Sequence, residues 1–164
     1  MPYANLTSPP GGRTGPSLLI IDDHVAVREG LARLLRSAPL SLRSVHAVAT
    51  AAEALACVES VCPELVVLDV DLGGEDGLAL LPTLSRHAYV MVLTCLVDAG
   101  TRHRAMGLGA SAFVSKHEPA SHLLAEVKEL AARYLRGELP PMRVGGESGA
   151  RPGTSSDVAG AAQT

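Results

Sequence analysis

The chain has 164 residues, 47% of them hydrophobic, and a formal net charge of −3 at pH 7. This length and apolar content are enough for one domain with a substantial core. Because nucleic acids and anionic membranes are bound through clustered Lys and Arg, the charge predicts no direct nucleic-acid or membrane binding. No apolar run approaches the roughly 20 residues of a membrane span, and no signal-peptide pattern opens the chain, so we expect a cytoplasmic protein.

The two ends of the chain differ in composition from its middle. Residues 1–16 and 137–164 are rich in Pro and Gly and carry few large apolar side chains. Such segments bury too little apolar surface to offset the entropy of ordering the backbone. We therefore expect a flexible lead at 1–16, one folded domain at 17–136 and a disordered tail at 137–164.

Strand and helix patterns alternate along the folded part. Short apolar runs rich in β-branched residues are typical of buried parallel strands, and apolar residues repeating every three to four positions are typical of helices. In chain order these patterns predict a strand at 18–21, a helix with Val27, Leu31, Leu34 and Leu35 on one face, a weaker strand at 44–48, a helix with Leu55 and Val58, a strand at 65–68, a helix with Leu78, Leu81 and Leu84, a strand at 90–93, a helix from Asp98 through Met106, a strand at 112–115, and a helix with Leu123, Val127, Leu130 and Tyr134. Five repeats of strand then helix predict an α/β fold with a parallel sheet covered on both faces.

Local signals mark several helix ends. Thr50 followed by Glu53 is a capping-box pattern, and Asp98 is a good N-cap residue. Pro119 suits the first turn of the last helix, whereas Pro82 falls inside the third and predicts a kink. Three cysteines without a CxxC pair predict small buried thiols rather than disulfides or a zinc site.

Polar residues follow four of the predicted strands. They are Asp22 and Asp23 after the first, Asp69 after the third, Thr94 after the fourth and Lys116 after the fifth. In an open α/β sheet the ligand crevice lies outside the carboxyl ends of the strands, so these side chains are expected to converge. The pattern predicts a site for a divalent cation and a phosphoryl group.

The residue types fit phosphoryl transfer. Mg²⁺ takes oxygen ligands, and Asp69 with Asp22 or Asp23 can supply carboxylates. A carboxylate can also act as a nucleophile and form an aspartyl phosphate. Lys116 would then neutralise charge on the phosphoryl oxygens, and the Thr94 hydroxyl could donate a hydrogen bond to one of them.

With these motifs, residues 17–135 resemble a receiver domain of a two-component response regulator. Ile21-Asp22-Asp23-His24 followed by Val27-Arg28-Glu29-Gly30-Leu31 is similar to the subfamily that carries a LuxR-type DNA-binding output domain. We expect no such output domain within these 164 residues, which would represent either a stand-alone receiver or part of a longer regulator. The resemblance implies a doubly wound, flavodoxin-like five-stranded parallel sheet in the order 2-1-3-4-5 with five helices. It also implies a signalling switch phosphorylated by a sensor histidine kinase or phosphotransfer protein, and it allows a homodimer.

The resemblance assigns roles to individual residues. Asp69 would accept the phosphoryl group, and Mg²⁺ would be held by Asp22, Asp23, Asp69 and the backbone carbonyl of Asp71, with Asp23 the more direct ligand of the acidic pair. Thr94 matches the switch hydroxyl and Lys116 the phosphoryl-binding cation. Phe113 matches the switch aromatic, although a purely structural role in the core is equally compatible with its sequence.

Three positions depart from the usual pattern of the family. Leu72-Gly73-Gly74 stands where Met-Pro is common, which predicts a looser loop. His117 rather than proline follows Lys116, and a non-proline cis bond costs about 2.5–4 kcal/mol, so the isomer of that peptide is left open. Cys95 replaces a smaller residue after the switch hydroxyl. Asp71 and Cys95 are expected to border the path of water to Asp69.

Two other functions compete with the switch. A haloacid-dehalogenase-type phosphatase also uses an Asp nucleophile in an Asp-x-Asp motif, as in Asp69-Val70-Asp71, but its acidic pair follows the lysine in sequence. A pseudo-receiver would bind partners without phosphorylation, yet here all five site positions are intact. His24 could bind a metal or donate a phosphoryl group, and we interpret it as part of the subfamily pattern.

Overall fold

The computed structural model describes residues 14–140. The predicted lead and tail therefore lie outside the described residues, apart from residues 14–16 and 137–140. Within the described part no helix is both long enough and apolar enough to cross a bilayer.

Five parallel strands form the central sheet. They are β1 (Ser17–Ile21), β2 (Ser44–Val48), β3 (Leu65–Leu68), β4 (Tyr89–Thr94) and β5 (Ala112–Ser115). The sheet order is β2-β1-β3-β4-β5, and every pairing is parallel. The predicted doubly wound, flavodoxin-like order 2-1-3-4-5 is confirmed.

Helices connect the strands and cover the sheet. They are α1 (Val25–Ser37), α2 (Ala51–Val61), α3 (Leu81–Leu84), α4 (Ala99–Gly107) and α5 (Ala120–Leu135). The third is far shorter than the others, a single α-helical turn preceded by a 3₁₀ turn at Gly77–Leu80. Pro82 lies in the first turn of α3, where a missing N–H is tolerated, so the predicted kink does not occur.

The predicted helix caps are largely confirmed. The Thr50 hydroxyl accepts a hydrogen bond from the backbone N–H of Glu53 at 3.2 Å, and Asp98 accepts one from Thr101 at 2.9 Å. Pro119 is the N-cap residue of α5, one position before the predicted first turn. In α2, which the sequence predicts from Leu55 and Val58, Ala54 is buried and Leu55 is exposed.

Two hydrophobic layers sandwich the sheet. Alternate residues of β1 point to opposite faces, so Leu18 and Ile20 pack with α1 and α5 while Leu19 and Ile21 pack with α2, α3 and α4. All five β1 residues are buried, as expected for a strand covered on both faces. Polar side chains follow at the carboxyl end of β1, where Asp22 and Asp23 succeed its last residue.

The segment after β3 forms a tight hairpin. Asp71 pairs with Asp76 and Leu72 with Glu75, and the two residues between them, Gly73 and Gly74, have φ of 67° and 92°. Positive φ at both central residues is the geometry of a type I′ turn, which favours glycine. The segment Leu72-Gly73-Gly74, for which we expect a looser loop, thus belongs to a paired hairpin with a defined turn.

Gly77 brings the end of this hairpin against the backbone of Asp69. A Cβ at position 77 would lie 2.1 Å from the carbonyl oxygen of Asp69 and 3.0 Å from that of Val70. The Gly77 N–H also donates a hydrogen bond of 2.6 Å to the Val70 carbonyl. The absence of a side chain at 77 thus allows the chain to close behind Asp69.

We expect Gly77→Ala to lower the free energy of unfolding by about 1–3 kcal/mol, because backbone atoms must shift to admit the methyl group. Gly30→Ala is the matched control, since Gly30 lies in α1 and a Cβ added there would have nothing within 4 Å. Alanine in a helix interior is favoured over glycine by about 1 kcal/mol, so this variant should be more stable than the wild type. Urea unfolding of both variants provides the measurement, and equal stability of Gly77→Ala and the wild type would contradict the close approach.

Candidate functional site

The carboxyl ends of the strands bring the predicted site residues together. Asp22 and Asp23 follow β1, Asp69 follows β3 and Lys116 follows β5. Hydrogen bonds along the sheet continue past the strands, with the Asp69 N–H donating to Ile21 and the Lys116 N–H to Thr94. The sheet therefore fixes the backbone of Asp69 and Lys116, and with it the positions of their Cα atoms.

Lys116 joins two buried carboxylates. Its Nζ atom lies 2.6 Å from Asp22 Oδ2 and 2.7 Å from Asp69 Oδ2, and both aspartates are almost completely buried. Burial by itself lowers the pKa of the Lys116 ammonium, but hydrogen bonds to Asp22 and Asp69 and their negative charges outweigh it, so this pKa is raised. The site thus holds a charged lysine between two acidic side chains.

Asp23 adds a buried carboxylate oxygen, Oδ1, to the same cluster, 3.0 Å from His24 Nδ1. Its Oδ1 atom is buried and accepts no hydrogen bond within residues 14–140. One ligand atom from each of Asp22, Asp23, His24 and Asp69 lies within 4.8 Å of the others. A buried carboxylate oxygen whose neighbouring side chain is an exposed imidazole fits a cation ligand, because a buried charge requires compensation. The residues present therefore fit Mg²⁺, whose preferred ligands are oxygen atoms.

Asp71 contributes its backbone rather than its side chain to this region. The Asp71 N–H donates to Asp69 Oδ1 at 3.4 Å, while the exposed side chain accepts a hydrogen bond from the Gly74 N–H at 2.9 Å. The side chain therefore stabilises the hairpin turn. The main chain of Asp71 remains next to the Asp69 carboxylate.

Thr94 is buried at the end of β4. Its hydroxyl oxygen accepts a hydrogen bond of 3.1 Å from the Leu96 N–H. A hydroxyl has one proton to donate besides its acceptor positions. This acceptor contact therefore leaves the Thr94 proton available for a donor role.

Phe113 is part of the hydrophobic layer on the α4 side of the sheet. The guanidinium of Arg102, from α4, lies 5.6 Å from the ring centroid. This distance is typical of a cation–π contact. The core role of Phe113 is therefore confirmed, and the contact links the ring to α4.

The cysteines occupy more exposed positions than predicted. Cys95 and Cys62 are exposed and Cys57 is half-buried, so the prediction of small buried thiols is wrong for the first two. Cys95 follows the last residue of β4, where the chain leaves the sheet and its side chain no longer faces a hydrophobic layer. All peptide bonds between residues 14 and 140, including the one after Lys116, are trans.

Two contacts at the site do not follow from the sequence patterns. Arg28 donates a hydrogen bond of 2.8 Å to the backbone carbonyl of Asp22, and Gly77 packs behind Asp69. Arg28 belongs to the subfamily motif, and its position one turn into α1 is the signal that points to this contact. Nothing local marks Gly77, because its constraint comes from a carbonyl eight residues earlier in the chain.

The family-model comparison matches residues 18–128 to the response regulator receiver domain. This match covers more than half of the chain and includes every predicted site residue. The chain belongs to the response regulator receiver family. The prediction of family from the strand-end residues is confirmed.

Curated relatives of this receiver chain include transcriptional regulators. It is 34% identical over 124 residues to the transcriptional regulatory protein GltR of Pseudomonas aeruginosa, covering 73% of this chain and 50% of that protein. It is 28% identical over 120 residues to the DNA-binding transcriptional activator EvgA of Escherichia coli K12, covering 71% and 57% respectively. The receiver chain thus spans about half the length of these relatives.

Solved structures agree with the fold of the receiver chain. A LuxR-family two-component response regulator from Aurantimonas sp. SI85-9A1 matches with a TM-score of 0.66 and 25% identity, covering 79% of this chain and 93% of that one. The BeF3-activated receiver domain of RstA from Klebsiella pneumoniae matches with a TM-score of 0.64 and 24% identity, covering 70% and 97%. The second likeness supports the fold alone.

The raised pKa of Lys116 predicts a pH dependence of stability. The folded state holds the lysine proton more tightly than the unfolded chain, in which the lysine pKa is about 10.4. The stabilising contribution is fully present below that pH and is lost as the pH rises through the raised folded-state pKa. We expect the stability advantage of the wild type over Lys116→Gln to be constant from pH 8 to 10 and to shrink above it.

Urea unfolding at pH 8, 10 and 11.5 measures this advantage. The matched control is Lys128→Gln, which removes an exposed lysine on α5. The difference in free energy of unfolding between Lys128→Gln and the wild type should change little with pH. An advantage over Lys116→Gln that persists undiminished at the highest pH would contradict the raised pKa.

Proposed function

We propose that this receiver chain is a signalling switch that accepts a phosphoryl group on the Asp69 carboxylate from a sensor histidine kinase or a phosphotransfer protein. The observation that carries the proposal is the placement of Asp69 Oδ2 2.7 Å from the Lys116 ammonium, inside an acidic cluster that also contains Asp22 and Asp23. The proposed nucleophile Asp69, the Lys116 ammonium and a group of carboxylates able to bind a metal ion thus share one site at the strand ends.

In the proposed reaction an Asp69 oxygen attacks the phosphorus of a phosphohistidine on the donor. The new oxygen–phosphorus bond forms as the phosphorus–nitrogen bond breaks, and the electron pair of the broken bond stays on the donor imidazole, which then takes up a proton. Lys116 stabilises the negative charge on the phosphoryl oxygens, and the Thr94 hydroxyl donates to one of them. Lys116 is already held beside Asp69, so its part in the reaction needs little reorganisation.

Mg²⁺ is the proposed cofactor. Asp23 and Asp69 would hold it through carboxylates and Asp71 through its backbone carbonyl, with Asp22 next to them and bonded to Lys116. When bound, the ion would neutralise charge on the phosphoryl oxygens during transfer. The buried Oδ1 of Asp23, which accepts no hydrogen bond in the described part of the chain, supports this assignment.

We propose that phosphorylation is read out through α4, β5 and α5. A phosphoryl group adds about −1.5 to −2 charge. The Thr94 hydroxyl would turn from its contact with the Leu96 N–H toward the phosphoryl group, and Phe113 would move into the space that it leaves. Because Arg102 contacts the Phe113 ring, this movement would also change the surface of α4.

The proposed partners are proteins. A histidine kinase or phosphotransfer protein would supply the phosphoryl group in the cytoplasm, and a second copy of the chain or an output protein would read the altered surface. The net charge of −3 does not favour direct DNA binding by this chain. GltR and EvgA are transcriptional regulators, so the pathway that this chain serves could end in control of transcription, with another segment or partner contacting DNA.

The two competing functions have less support. The acidic pair of a haloacid-dehalogenase-type phosphatase follows its lysine in sequence, whereas Asp22 and Asp23 follow β1, ahead of every other site residue. A pseudo-receiver would not need Lys116 bonded to Asp69, and that contact is present. We therefore propose no multiple-turnover activity on outside substrates, only self-catalysed phosphorylation and dephosphorylation.

Incubation with acetyl phosphate and Mg²⁺ tests the phosphoacceptor. We expect the wild type to gain the mass of one phosphoryl group and Asp69→Asn to gain none, because the amide oxygen is a poor nucleophile. Asp71→Asn is the matched control, since asparagine keeps both the backbone carbonyl and an acceptor for the Gly74 N–H. Intact mass spectrometry reports the labelling, and a labelled Asp69→Asn variant would refute the assignment.

Thr94→Ala separates phosphorylation from switching. We expect this variant still to be labelled at Asp69. The change in amide hydrogen exchange that phosphorylation causes in α4, β5 and α5 should be at least fivefold smaller than in the wild type, because no hydroxyl turns toward the phosphoryl group. Thr101→Ala is the matched control, since Thr101 hydrogen-bonds with Asp98 at the start of α4 rather than with the site. An undiminished response in Thr94→Ala would show that the hydroxyl does not couple the two events.

Cys95 offers a test of water access to phosphorylated Asp69. We propose that its side chain, directly after Thr94, borders the path along which water approaches the phosphorus. Cys95→Ala should then speed loss of the phosphoryl group about two- to tenfold, by removing bulk that has no strong hydrogen-bonding group. Decay is followed by intact mass, with Cys62→Ala, a change at the exposed end of α2, as control. Equal or slower decay in Cys95→Ala would show that Cys95 does not shield the site.

A further inference from the structure

His24 stands at the mouth of the acidic cluster. Its backbone N–H donates a hydrogen bond of 2.9 Å to Asp22 Oδ1, which fixes the residue directly after the acidic pair. Its side chain is 64% exposed and is the solvent-facing member of the four residues that cluster there. A ligand entering from solvent on this side would meet the imidazole and the Asp23 carboxylate together.

The contact between His24 and Asp23 has the spacing of two ligands of one cation. His24 Nδ1 lies 3.0 Å from Asp23 Oδ1, yet that oxygen accepts no hydrogen bond within residues 14–140. Two ligand atoms each about 2.1 Å from a metal lie about 3.0 Å apart at a right angle and about 3.4 Å apart in a tetrahedron. The distance from His24 Nδ1 to Asp22 Oδ1, 3.6 Å, is only slightly longer than this range.

We propose that His24 Nδ1 is a metal ligand and that it adapts this pocket to borderline transition ions such as Zn²⁺ or Ni²⁺ in competition with Mg²⁺. The inference rests on the proposed metal site at Asp23 and Asp69. Lys116 bonds Asp22 Oδ2 and Asp69 Oδ2, whereas Asp23 Oδ1 has His24 Nδ1 beside it at 3.0 Å, where a cation could replace the contact between them. The pocket therefore offers nitrogen as well as oxygen.

Ligand chemistry gives the expected selectivity. Mg²⁺ is a hard cation that prefers oxygen and keeps several waters, so it gains little from an imidazole. Imidazole suits Zn²⁺ and Ni²⁺, which also bind carboxylates more tightly than Mg²⁺ does. Metal identity at the phosphorylation pocket would thus depend on a residue next to the acidic pair rather than on the acidic pair alone.

Titration with Zn²⁺ and, separately, with Mg²⁺ tests the proposal without reference to phosphorylation. Isothermal titration calorimetry measures both affinities, and the ¹⁵N resonances of the histidine rings report direct coordination. We expect His24→Gln to weaken Zn²⁺ binding about tenfold or more and to change Mg²⁺ binding less than about twofold. We also expect a Zn²⁺-induced shift of the His24 Nδ1 resonance in the wild type.

His122→Gln is the matched control for adventitious binding, because His122 lies between Glu118 and Glu126 on α5 and could hold Zn²⁺ by itself. Its removal should leave the Zn²⁺ site at the pocket unchanged. Asp23→Asn should weaken both metals. Unchanged Zn²⁺ affinity in His24→Gln, or an unshifted Nδ1 resonance, overturns the role of His24 while Mg²⁺ binding persists. Failure of the wild type to bind Mg²⁺ would instead refute the proposed metal site itself.

Discussion

The ion-paired contact of Lys116 with Asp22 and Asp69 joins the ends of three strands in one place. The lysine follows β5 and the aspartates follow β1 and β3, so the contact spans 94 and 47 residues of sequence. Both carboxylates are buried, and a buried charge without a partner is strongly destabilising. The strand ends must therefore meet in this arrangement, since slippage of one strand relative to the others would leave a charge without compensation.

In the same arrangement, one acceptor oxygen and one hydroxyl proton at the strand ends make no hydrogen bond among the described residues. Asp23 Oδ1 has no hydrogen-bond partner in the described part of the chain, and Thr94 uses its oxygen as an acceptor and keeps a proton to donate. Buried polar groups in folded proteins are normally satisfied, so groups that are not mark places where a ligand completes the set. A phosphoryl group on Asp69 would accept a hydrogen bond from Thr94 and share a cation with Asp23. The proposed phosphorylation would thereby be coupled to β4 and to the hydrophobic layer that contains Phe113.

The loop after β3 shows how the backbone supports this chemistry. Gly73 and Gly74 form a turn that reverses the chain within two residues, and Gly77 lets it return against the carbonyl of Asp69. The Asp71 N–H is thereby placed next to the Asp69 carboxylate. Rigidity behind Asp69 would serve the proposed phosphoryl transfer, because a nucleophile is effective only when its orientation is held.

Sequence alone determined the alternation of strands and helices, the sheet class and the identity of the strand-end residues, because periodicity and the change from apolar to polar are properties of neighbouring positions. The family resemblance then supplied the strand order and the proposed roles of Asp23, Asp69, Thr94 and Lys116. Short-range patterns could not show that the third helix shrinks to one turn, or that Leu55 and Cys95 are exposed. Those outcomes depend on which surfaces other elements cover. The pairing of Lys116 with two carboxylates and the clearance at Gly77 were decided only by the tertiary structure, because both are distances between atoms that the sheet brings together from separate parts of the chain.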